Sequence, residues 1–190
     1  MKIGVDIDEV LADLINPLVE YHNITYGTTL KRDDFRTFNL WETWGGTEEE
    51  ANKKLYDFFH SKFFKEVPLI QKSQESVNFL SKKHELIIIT SRPEYVSDRT
   101  IKWVEKNFSS CFKEFHFTHE WYKNGTSRKK DICLNKKVDI MIEDSLDKAL
   151  DCSVISKVML YDCPWNKTNN LPKNITRVNG WEEILSYLNT

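Results

Sequence analysis

Two carboxylates stand one residue apart at the point where the first apolar segment of the chain ends. Asp6 and Asp8 follow the sequence Ile3-Gly4-Val5 and are separated by Ile7. Side chains alternate faces along a strand, and open α/β sheets bind their ligands at the carboxyl edge. There the pair could hold a metal ion or perform acid-base chemistry. An Asp-x-Asp pair also arises by chance, so the motif alone leaves a plain surface pair as an alternative.

A second acid pair follows another apolar segment far downstream. Residues 139–142 read Asp-Ile-Met-Ile, and Glu143 and Asp144 come directly after them. If the two segments are neighbouring strands of one parallel sheet, their carboxylates lie close together and raise one another's pKa values. A hard divalent cation relieves this repulsion, and Mg²⁺ takes carboxylates together with water and phosphate oxygens. The two acid pairs together predict a metal site.

A third apolar segment ends in groups that suit an anion. Residues 86–89 read Leu-Ile-Ile-Ile and are followed by Thr90, Ser91, Arg92 and Pro93. Proline is tolerated near the start of a helix, and the N-terminus of a helix favours a phosphate group. These residues offer hydroxyls, backbone amides and a cation to a phosphate. A capped helix start without a ligand is the alternative.

Three consecutive basic residues precede the strand that carries the second acid pair. Arg128, Lys129 and Lys130 could bring a cation to the carboxylates or to a bound phosphate. Basic runs of this kind are usually solvated surface. The residue types alone leave both interpretations open.

The order of these elements resembles that of the haloacid dehalogenase (HAD) superfamily. Its members carry an Asp-x-Asp motif, a Thr or Ser after a strand, a lysine, and an acid pair after a further strand. Within that superfamily the chain resembles the 5′(3′)-deoxyribonucleotidases and their bacterial and phage relatives. The resemblance spans nearly the whole chain and rests on residues 6–13 (Asp-Ile-Asp-Glu-Val-Leu-Ala-Asp), 88–91 (Ile-Ile-Thr-Ser), 102–105 (Lys-Trp-Val-Glu), 161–166 (Tyr-Asp-Cys-Pro-Trp-Asn) and 180–183 (Gly-Trp-Glu-Glu).

The resemblance implies a phosphatase that uses Mg²⁺ and an aspartyl-phosphate intermediate, with a nucleoside monophosphate as its small-molecule substrate. Asp6 would be the nucleophile and Asp8 the acid-base group. Asp6, the main-chain carbonyl of Asp8 and Asp144 would bind the metal. Lys129 would neutralise charge on the phosphate and on the nucleophile, and Lys130 is a close rival for that role.

The same resemblance implies the substrate contacts. Thr90 and the amide of Ser91 would bind phosphoryl oxygens, with Arg92 as an additional cation for the substrate. Trp41 and Phe59 align with aromatic residues that line the nucleotide base in the family. Stacking of a base on an aromatic ring contributes about 1–3 kcal/mol in nucleic-acid complexes.

Three positions depart from the family pattern. Glu9 stands where the family usually has glycine, and we expect it to add negative charge near the metal. Glu143 precedes Asp144 where an Asp-Asp pair is commoner, and we expect metal binding to survive. Leu14 occupies a position that is aromatic in some nucleotidases, which leaves the base preference open. A phosphatase for a non-nucleotide phosphate ester and a catalytically silent nucleotide-binding protein are the alternative functions.

Composition agrees with a soluble enzyme of one main domain. The 190 residues are 40% hydrophobic and 13% aromatic, which suffices for a substantial core. A net charge of −2 gives no electrostatic footprint for long nucleic acid. No signal-peptide pattern and no apolar run of membrane-spanning length is visible. The 4 cysteines are irregularly spaced, so we expect a cytoplasmic protein with reduced thiols, as a monomer or homodimer.

The elements that must position these residues follow from hydrophobic periodicity. Strands are predicted at 2–6, 86–90, 114–117, 139–142 and 157–161, and helices at 11–26, with a break or bend at Asn16-Pro17, and at 73–83, 96–107 and 146–153. Strands separated by helices predict right-handed crossovers and a parallel sheet. We therefore expect an α/β fold with a Rossmann-like (HAD-like) core at residues 1–13 and 73–190. The resemblance places a small, mainly helical cap at residues 14–72, after the first strand.

Overall fold

A computed structural model describes residues 1–37, 39–118 and 128–188 of the chain. Its centre is a six-stranded sheet with the strand order β3-β2-β1-β4-β5-β6, and each neighbouring pair is parallel. The strands are β1 (Lys2–Val5), β2 (Glu85–Thr90), β3 (Phe112–Phe117), β4 (Ile140–Glu143), β5 (Lys157–Tyr161) and β6 (Ile175–Val178). This parallel sheet with its flanking helices confirms the predicted α/β class.

Helices connect and cover the strands. In the described part of the chain they are α1 (Ile15–Tyr26), α2 (Leu40–Trp44), α3 (Glu48–His60), α4 (Lys62–Lys65), α5 (Ser73–Leu80), α6 (Ser97–Phe108), α7 (Arg128–Lys136), α8 (Leu146–Cys152) and α9 (Trp181–Leu188). None of these described helices is both long and apolar enough to cross a membrane.

The order in which the chain adds strands reverses at β1, and this point fixes where a ligand can bind. β1 pairs with β2 on one side and with β4 on the other. Val5 is aligned with Ile88 and with Ile142, so the three strands end at nearly the same level. Crevices of open α/β sheets lie at the carboxyl ends of such strands. Asp6 therefore enters this crevice between the chain segments that follow β2 and β4.

Both faces of the sheet are covered, which explains why its strands are apolar almost without interruption. In β2, Leu86 and Ile88 belong to the hydrophobic cluster on one face, and Ile87 and Ile89 belong to the cluster on the other. Helix α5 packs against α6 and α9, whereas α7 packs against α8. The sheet is thus a rigid middle layer between two layers of helices.

Helices α1 to α4 form a helical insert, residues 15–65, between β1 and α5. Aromatic rings fill its interior. The ring centroid of Phe58 lies 5.6 Å from that of Tyr21 and 5.9 Å from that of Phe64, and Phe59 meets Phe64 edge-to-face at 4.8 Å. Large rings let such a small unit bury enough apolar surface to be stable. The aromatic richness of this segment therefore serves mainly its own core.

The two connections between the helical insert and the sheet run side by side. The amide of Asp13 donates to the carbonyl of Pro68 at 2.9 Å, and the amide of Ile70 donates to the carbonyl of Leu11 at 2.8 Å. Because these bonds lie just outside the insert, they hold both of its ends against the core. The domain boundaries at residues 14 and 72 stay a prediction.

The predicted start of the first helix is wrong. The amides of Leu11 and Ala12 both donate to the carbonyl of Ile7, at 2.8 Å each, so the chain forms a tight loop before α1 begins at Ile15. The predicted bend at Asn16-Pro17 is also wrong, because Pro17 lies in the first turn of α1, where no amide donor is required. Strand β6 was not predicted; it lies at the edge of the sheet, beside β5.

One long-range hydrogen bond ties the last helix to the loop after β1. The indole Nε1 of Trp181 donates to the carbonyl of Val10 at 2.8 Å, and the Trp181 side chain is fully buried. Replacing Trp181 by phenylalanine leaves this carbonyl buried without a donor. We predict that Trp181→Phe lowers the free energy of unfolding by about 1–3 kcal/mol, as measured by urea denaturation.

Trp103→Phe is the matched control for this prediction. Its indole also donates to a carbonyl, that of Val67 at 3.1 Å, but the Trp103 side chain is only partly buried. Water can replace part of what is lost there, so the loss of stability should be smaller. Equal losses for the two variants would contradict the importance of the bond between Trp181 and Val10.

Candidate active site

The polar residues predicted from the three apolar segments meet at the carboxyl edge of the sheet. Asp6 follows β1 directly, Thr90 is the last residue of β2, and Glu143 is the last residue of β4. The amide of Asp6 donates to the carbonyl of Ile142 at 3.0 Å, which continues the pairing of β1 with β4 by one residue. The backbone therefore delivers Asp6 beside Glu143 and Asp144.

A buried lysine bridges two of these carboxylates. The Nζ of Lys129, on α7, lies 2.9 Å from an oxygen of Asp6 and 2.8 Å from an oxygen of Glu143. The Lys129 side chain is 1% exposed, so its charge is compensated by these two groups in a medium of low polarity. Burial alone lowers the pKa of Lys129, but the two carboxylates outweigh burial and raise it. Lys129 therefore remains charged at physiological pH.

The structure distinguishes Lys129 from its neighbour Lys130. Lys129 reaches the acid cluster, whereas Lys130 lies partly exposed on α7 and forms no ion pair with any described residue. The alternative that this basic run is plain solvated surface does not hold for Lys129.

Three carboxylates form a compact group of possible metal ligands. One oxygen each of Asp6, Glu143 and Asp144 lies within 4.8 Å of the others, and all three residues are buried. Oδ1 of Asp6 is buried without a hydrogen-bond partner among the described residues. Orphaned buried oxygens are rare in folded proteins, and hard oxygen donors are the ligands that Mg²⁺ prefers. The residues present thus fit a hard divalent cation.

The protonation of this group reflects its burial. Burial raises the pKa of Glu143 to about 7 despite the opposing charge of Lys129. Burial, followed by the charges of Glu143 and Asp6, raises the pKa of Asp144 well above its ordinary value. Lys129 supplies one positive charge against three carboxylates, so the cluster retains an excess of negative charge when it is ionised. A cation of higher charge would relieve that excess.

Neighbouring side chains hold Asp144 in position. The indole Nε1 of Trp165 donates to a carboxylate oxygen of Asp144 at 3.0 Å, and Nδ2 of Asn166 donates to the Asp144 carbonyl at 2.6 Å. The guanidinium of Arg32, in the helical insert, lies over the Trp165 ring at 5.0 Å. In the sequence, Trp165 and Asn166 stand out only as part of a family-like segment. Their position just after β5, the strand beside β4, is the signal that points to this role.

Asp8 is held by an arginine that was expected to bind substrate. Nε of Arg92 donates to the two carboxylate oxygens of Asp8 at 3.1 and 3.0 Å, and Nη2 donates to one of them at 2.6 Å. Nη1 of Arg92 donates to the hydroxyl of Thr100 at 3.1 Å. Burial raises the pKa of Asp8 by more than the Arg92 charge lowers it. Arg92 thus orients Asp8 in this structure and does not present a free cation to a substrate.

Thr90 and Ser91 lie where the sequence places them, at the end of β2. Thr90 is fully buried, and its hydroxyl accepts a hydrogen bond from the amide of Arg92 at 3.3 Å. The hydroxyl of Ser91 is partly exposed and accepts a bond from the hydroxyl of Thr118 at 3.3 Å. Both residues belong to the same edge of the sheet as Asp6.

Glu9 adds negative charge beside the acid cluster, as expected, since its charge contributes to the raised pKa of Asp144. It also has a second role, which was not expected. Its backbone adopts φ of 59°, a left-handed conformation that favours glycine. Its carboxylate turns towards α1 and accepts bonds from the amides of Leu14 and Ile15 at 2.8 and 2.7 Å, and it pairs with Arg32. Burial raises the pKa of Glu9 to about 7. Glu9 therefore caps a helix of the insert.

The two aromatic residues expected to line a base differ in accessibility. Trp41 is partly exposed at the start of α2. Phe59 is fully buried among the rings of the helical insert, and Leu14 is buried as well. In this structure Phe59 is a core residue that presents no open ring face, which corrects its expected role as a stacking platform.

Solved structures share this fold. A haloacid dehalogenase-like hydrolase, SP0104 from Streptococcus pneumoniae, superposes with a TM-score of 0.72 at 15% identity and covers 98% of this chain and 97% of its own. The HAD-hydrolase YfnB from Bacillus subtilis, solved bound to magnesium, superposes with a TM-score of 0.64 at 15% identity. The superposition covers 100% of this chain and 98% of YfnB. The chain therefore has the fold of these HAD-like hydrolases.

Sequence comparison identifies the family. The model of the family described as 5′ nucleotidase, deoxy (Pyrimidine), cytosolic type C protein matches residues 1–188. A 5′(3′)-deoxyribonucleotidase from Bacillus subtilis is 26% identical over 185 residues, which span 96% of this chain and 95% of the relative. The chain belongs to this nucleotidase family and is a phosphoric monoester hydrolase. The resemblance inferred from the sequence is confirmed.

The bridging role of Lys129 can be tested through stability. Removing its charge leaves Asp6 and Glu143 buried without compensation, so we predict that Lys129→Met lowers the free energy of unfolding by about 3 kcal/mol. The measurement is urea denaturation at pH 8 with the metal chelated. Lys130→Met, the same change one residue later, should alter stability by less than about 0.5 kcal/mol. Similar small effects for both variants would show that Lys129 does not bridge the carboxylates.

Proposed function

We propose that the protein is a Mg²⁺-dependent phosphatase that hydrolyses deoxynucleoside or nucleoside monophosphates to nucleoside and phosphate. The observation that carries this proposal is the environment of Asp6. One oxygen of Asp6 is held by Lys129, and the other is buried and has no hydrogen-bond partner among the residues that the structure describes. A carboxylate that a buried lysine holds in this position is suited to attack phosphorus. The family to which the protein belongs, and its relatives described as nucleotidases, support the substrate class.

The first chemical step transfers the phosphoryl group to the protein. A carboxylate oxygen of Asp6 forms a bond to phosphorus while the bond between phosphorus and the ester oxygen breaks. The departing nucleoside oxygen takes a proton from Asp8, whose pKa is raised by burial. Arg92 fixes the orientation of Asp8 through its paired hydrogen bonds. The products of this step are the nucleoside and an aspartyl-phosphate at Asp6.

The second step releases phosphate. Asp8, which is now ionised, accepts a proton from a water molecule as the water oxygen bonds to phosphorus. The bond between phosphorus and Asp6 breaks, so Asp6 is restored as a carboxylate and Asp8 is again protonated. Lys129 balances the charge on Asp6 and the phosphate throughout, because it is buried and stays charged. Lys130 does not take this role in the proposal.

The proposed metal ligands are Asp6, the main-chain carbonyl of Asp8 and Asp144. When bound, Mg²⁺ would neutralise negative charge on the phosphate oxygens and relieve the repulsion between substrate and carboxylates. Trp165 and Asn166 keep Asp144 aimed at this site through hydrogen bonds to its carboxylate and its carbonyl.

Thr90 and Ser91 are the proposed ligands of the phosphoryl oxygens. They lie at the end of β2, and Ser91 keeps its side chain partly exposed. The helical insert, proposed as a cap domain of residues 14–72, would cover the nucleoside, with Trp41 as its partly exposed aromatic residue. The family description names a cytosolic protein, and Cys111, Cys133, Cys152 and Cys163 form no disulfide, which supports the proposal of a cytoplasmic location. A monomer or homodimer is the proposed assembly.

A panel of phosphate esters tests the proposed substrate class and nucleophile together. We predict that phosphate is released in the presence of Mg²⁺ from deoxy- or ribonucleoside monophosphates in preference to sugar phosphates. Asp6→Asn should reduce kcat by about 10⁴-fold, because the amide is a poor nucleophile. Asp13→Asn, a nearby and more exposed acid, is the matched control and should retain activity. Phosphate release from sugar phosphates alone would agree with the phosphatase chemistry but would refute a nucleotide substrate.

Metal binding can be measured without turnover. We predict that Mg²⁺ at about 100 times its dissociation constant stabilises the protein by about 2.7 kcal/mol, because it binds the folded state only. The measurement is thermal unfolding with and without Mg²⁺. Asp144→Asn should abolish the stabilisation, whereas Asp147→Asn, an exposed residue on α8, should preserve it. Equal stabilisation of the Asp144→Asn variant would place the metal elsewhere.

A further inference from the structure

A second pocket lies at the junction of the helical insert and the core. It has a volume of about 230 Å³ and opens between α4 of the insert and α6 of the core. Phe64, Lys65 and Val67 contribute from the side of the insert, and α6 supplies most of the opposite wall. The proposed mechanism makes no use of this pocket.

Among the described residues, every charged side chain that lines this pocket is a cation. Arg99, Lys102 and Lys106 lie three and four residues apart on α6, which places them on one face of the helix. Lys65 faces them from the insert, and Arg92 lies at the buried end of the pocket. The whole chain carries a net charge of −2, so this concentration of positive charge is local.

Three cations at the mouth of the pocket form no ion pair with any carboxylate of the described residues. They are Lys65, Lys102 and Lys106. Arg99 donates to the carbonyl of Phe59 at 2.7 Å, which orients it without cancelling its charge. Such a group of like charges raises the local concentration of anions and favours an anion as its ligand.

Apolar rings form the rest of the pocket. The Arg92 guanidinium lies over the ring of Phe64 at 5.1 Å, and the Trp103 indole is fixed by its hydrogen bond to the carbonyl of Val67 at 3.1 Å. Fixed rings beside cations suit a ligand that has a planar apolar part and an anionic part. The volume is sufficient for a heterocyclic base but leaves the phosphates of a nucleotide at the mouth, among the lysines.

We propose that this pocket binds a nucleoside triphosphate at a site separate from the catalytic one. The base packs against the partly exposed Trp103 indole, beside the edge of Phe64, and the phosphates contact Lys65, Lys102 and Lys106. An occupant would contact both the insert and the core. It would also lie against Arg92, the residue that holds Asp8. The proposal does not depend on which monophosphate the catalytic site hydrolyses.

The test is equilibrium binding of thymidine triphosphate to the full chain carrying Asp6→Asn, with the metal chelated so that the proposed catalytic metal site is empty. We expect binding that weakens about five- to tenfold in the Lys102→Gln/Lys106→Gln variant, since each exposed cation contributes a modest ion pair. Lys65→Gln, on the opposite wall, should weaken binding in the same direction. Lys157→Gln/Lys173→Gln changes the net charge equally at exposed sites elsewhere and should leave binding intact.

Three results would overturn the proposal. The first is binding that is unaffected by the Lys102→Gln/Lys106→Gln variant, and the second is binding that disappears when metal is removed or when Asp144 is replaced by asparagine. The third is inorganic triphosphate binding as tightly as thymidine triphosphate, which would show that the rings contribute nothing. Because hydrolysis of monophosphates is measured separately with Mg²⁺ present, failure here is distinguishable from failure of the proposed function.

Discussion

The buried ion pairs of Lys129 with Asp6 and Glu143 are the interaction on which the rest of the structure depends. Burying three carboxylates at one edge of a sheet is costly, and a single lysine in contact with two of them offsets much of that cost. The arrangement requires β1 and β4 to be neighbours and α7 to deliver Lys129 over their ends. The strand order and the position of α7 are therefore both required for the buried ion pairs of the site.

A second set of contacts connects the helical insert to this site. Arg32 belongs to the insert, pairs with Glu9 and lies over the ring of Trp165, which in turn donates to Asp144. Glu9 has a left-handed backbone conformation, and its carboxylate lies at the start of α1. The resemblance led us to expect glycine at this position, and Glu9 instead joins the insert to the core through Arg32.

Much of the fold and the centre of the site could be predicted from the sequence because strong local signals carry them. Apolar segments that end in carboxylates predict the strands of the sheet, and they also predict that Asp6 and Asp144 meet at its carboxyl edge. The role of Arg92 could not be predicted, because its partner Asp8 is 84 residues away and only the folded chain brings them together. Phe59 was expected at a base and lies in the core of the insert, because a small helical unit needs its large rings for its own packing. Trp165 carries no chemical signal of its own until the strand order places β5 beside β4.

The central claim is that Asp6 carries the phosphoryl group during turnover. Its most direct test is acid quenching of the enzyme during hydrolysis of a nucleoside monophosphate with Mg²⁺, followed by peptide mass mapping. The account predicts a phosphoryl group on the peptide that contains Asp6, absent from the Asp6→Asn variant and lost on treatment with hydroxylamine. Rapid turnover with a phosphoryl group on a different residue, or with none trapped at any time during the steady state, would contradict it.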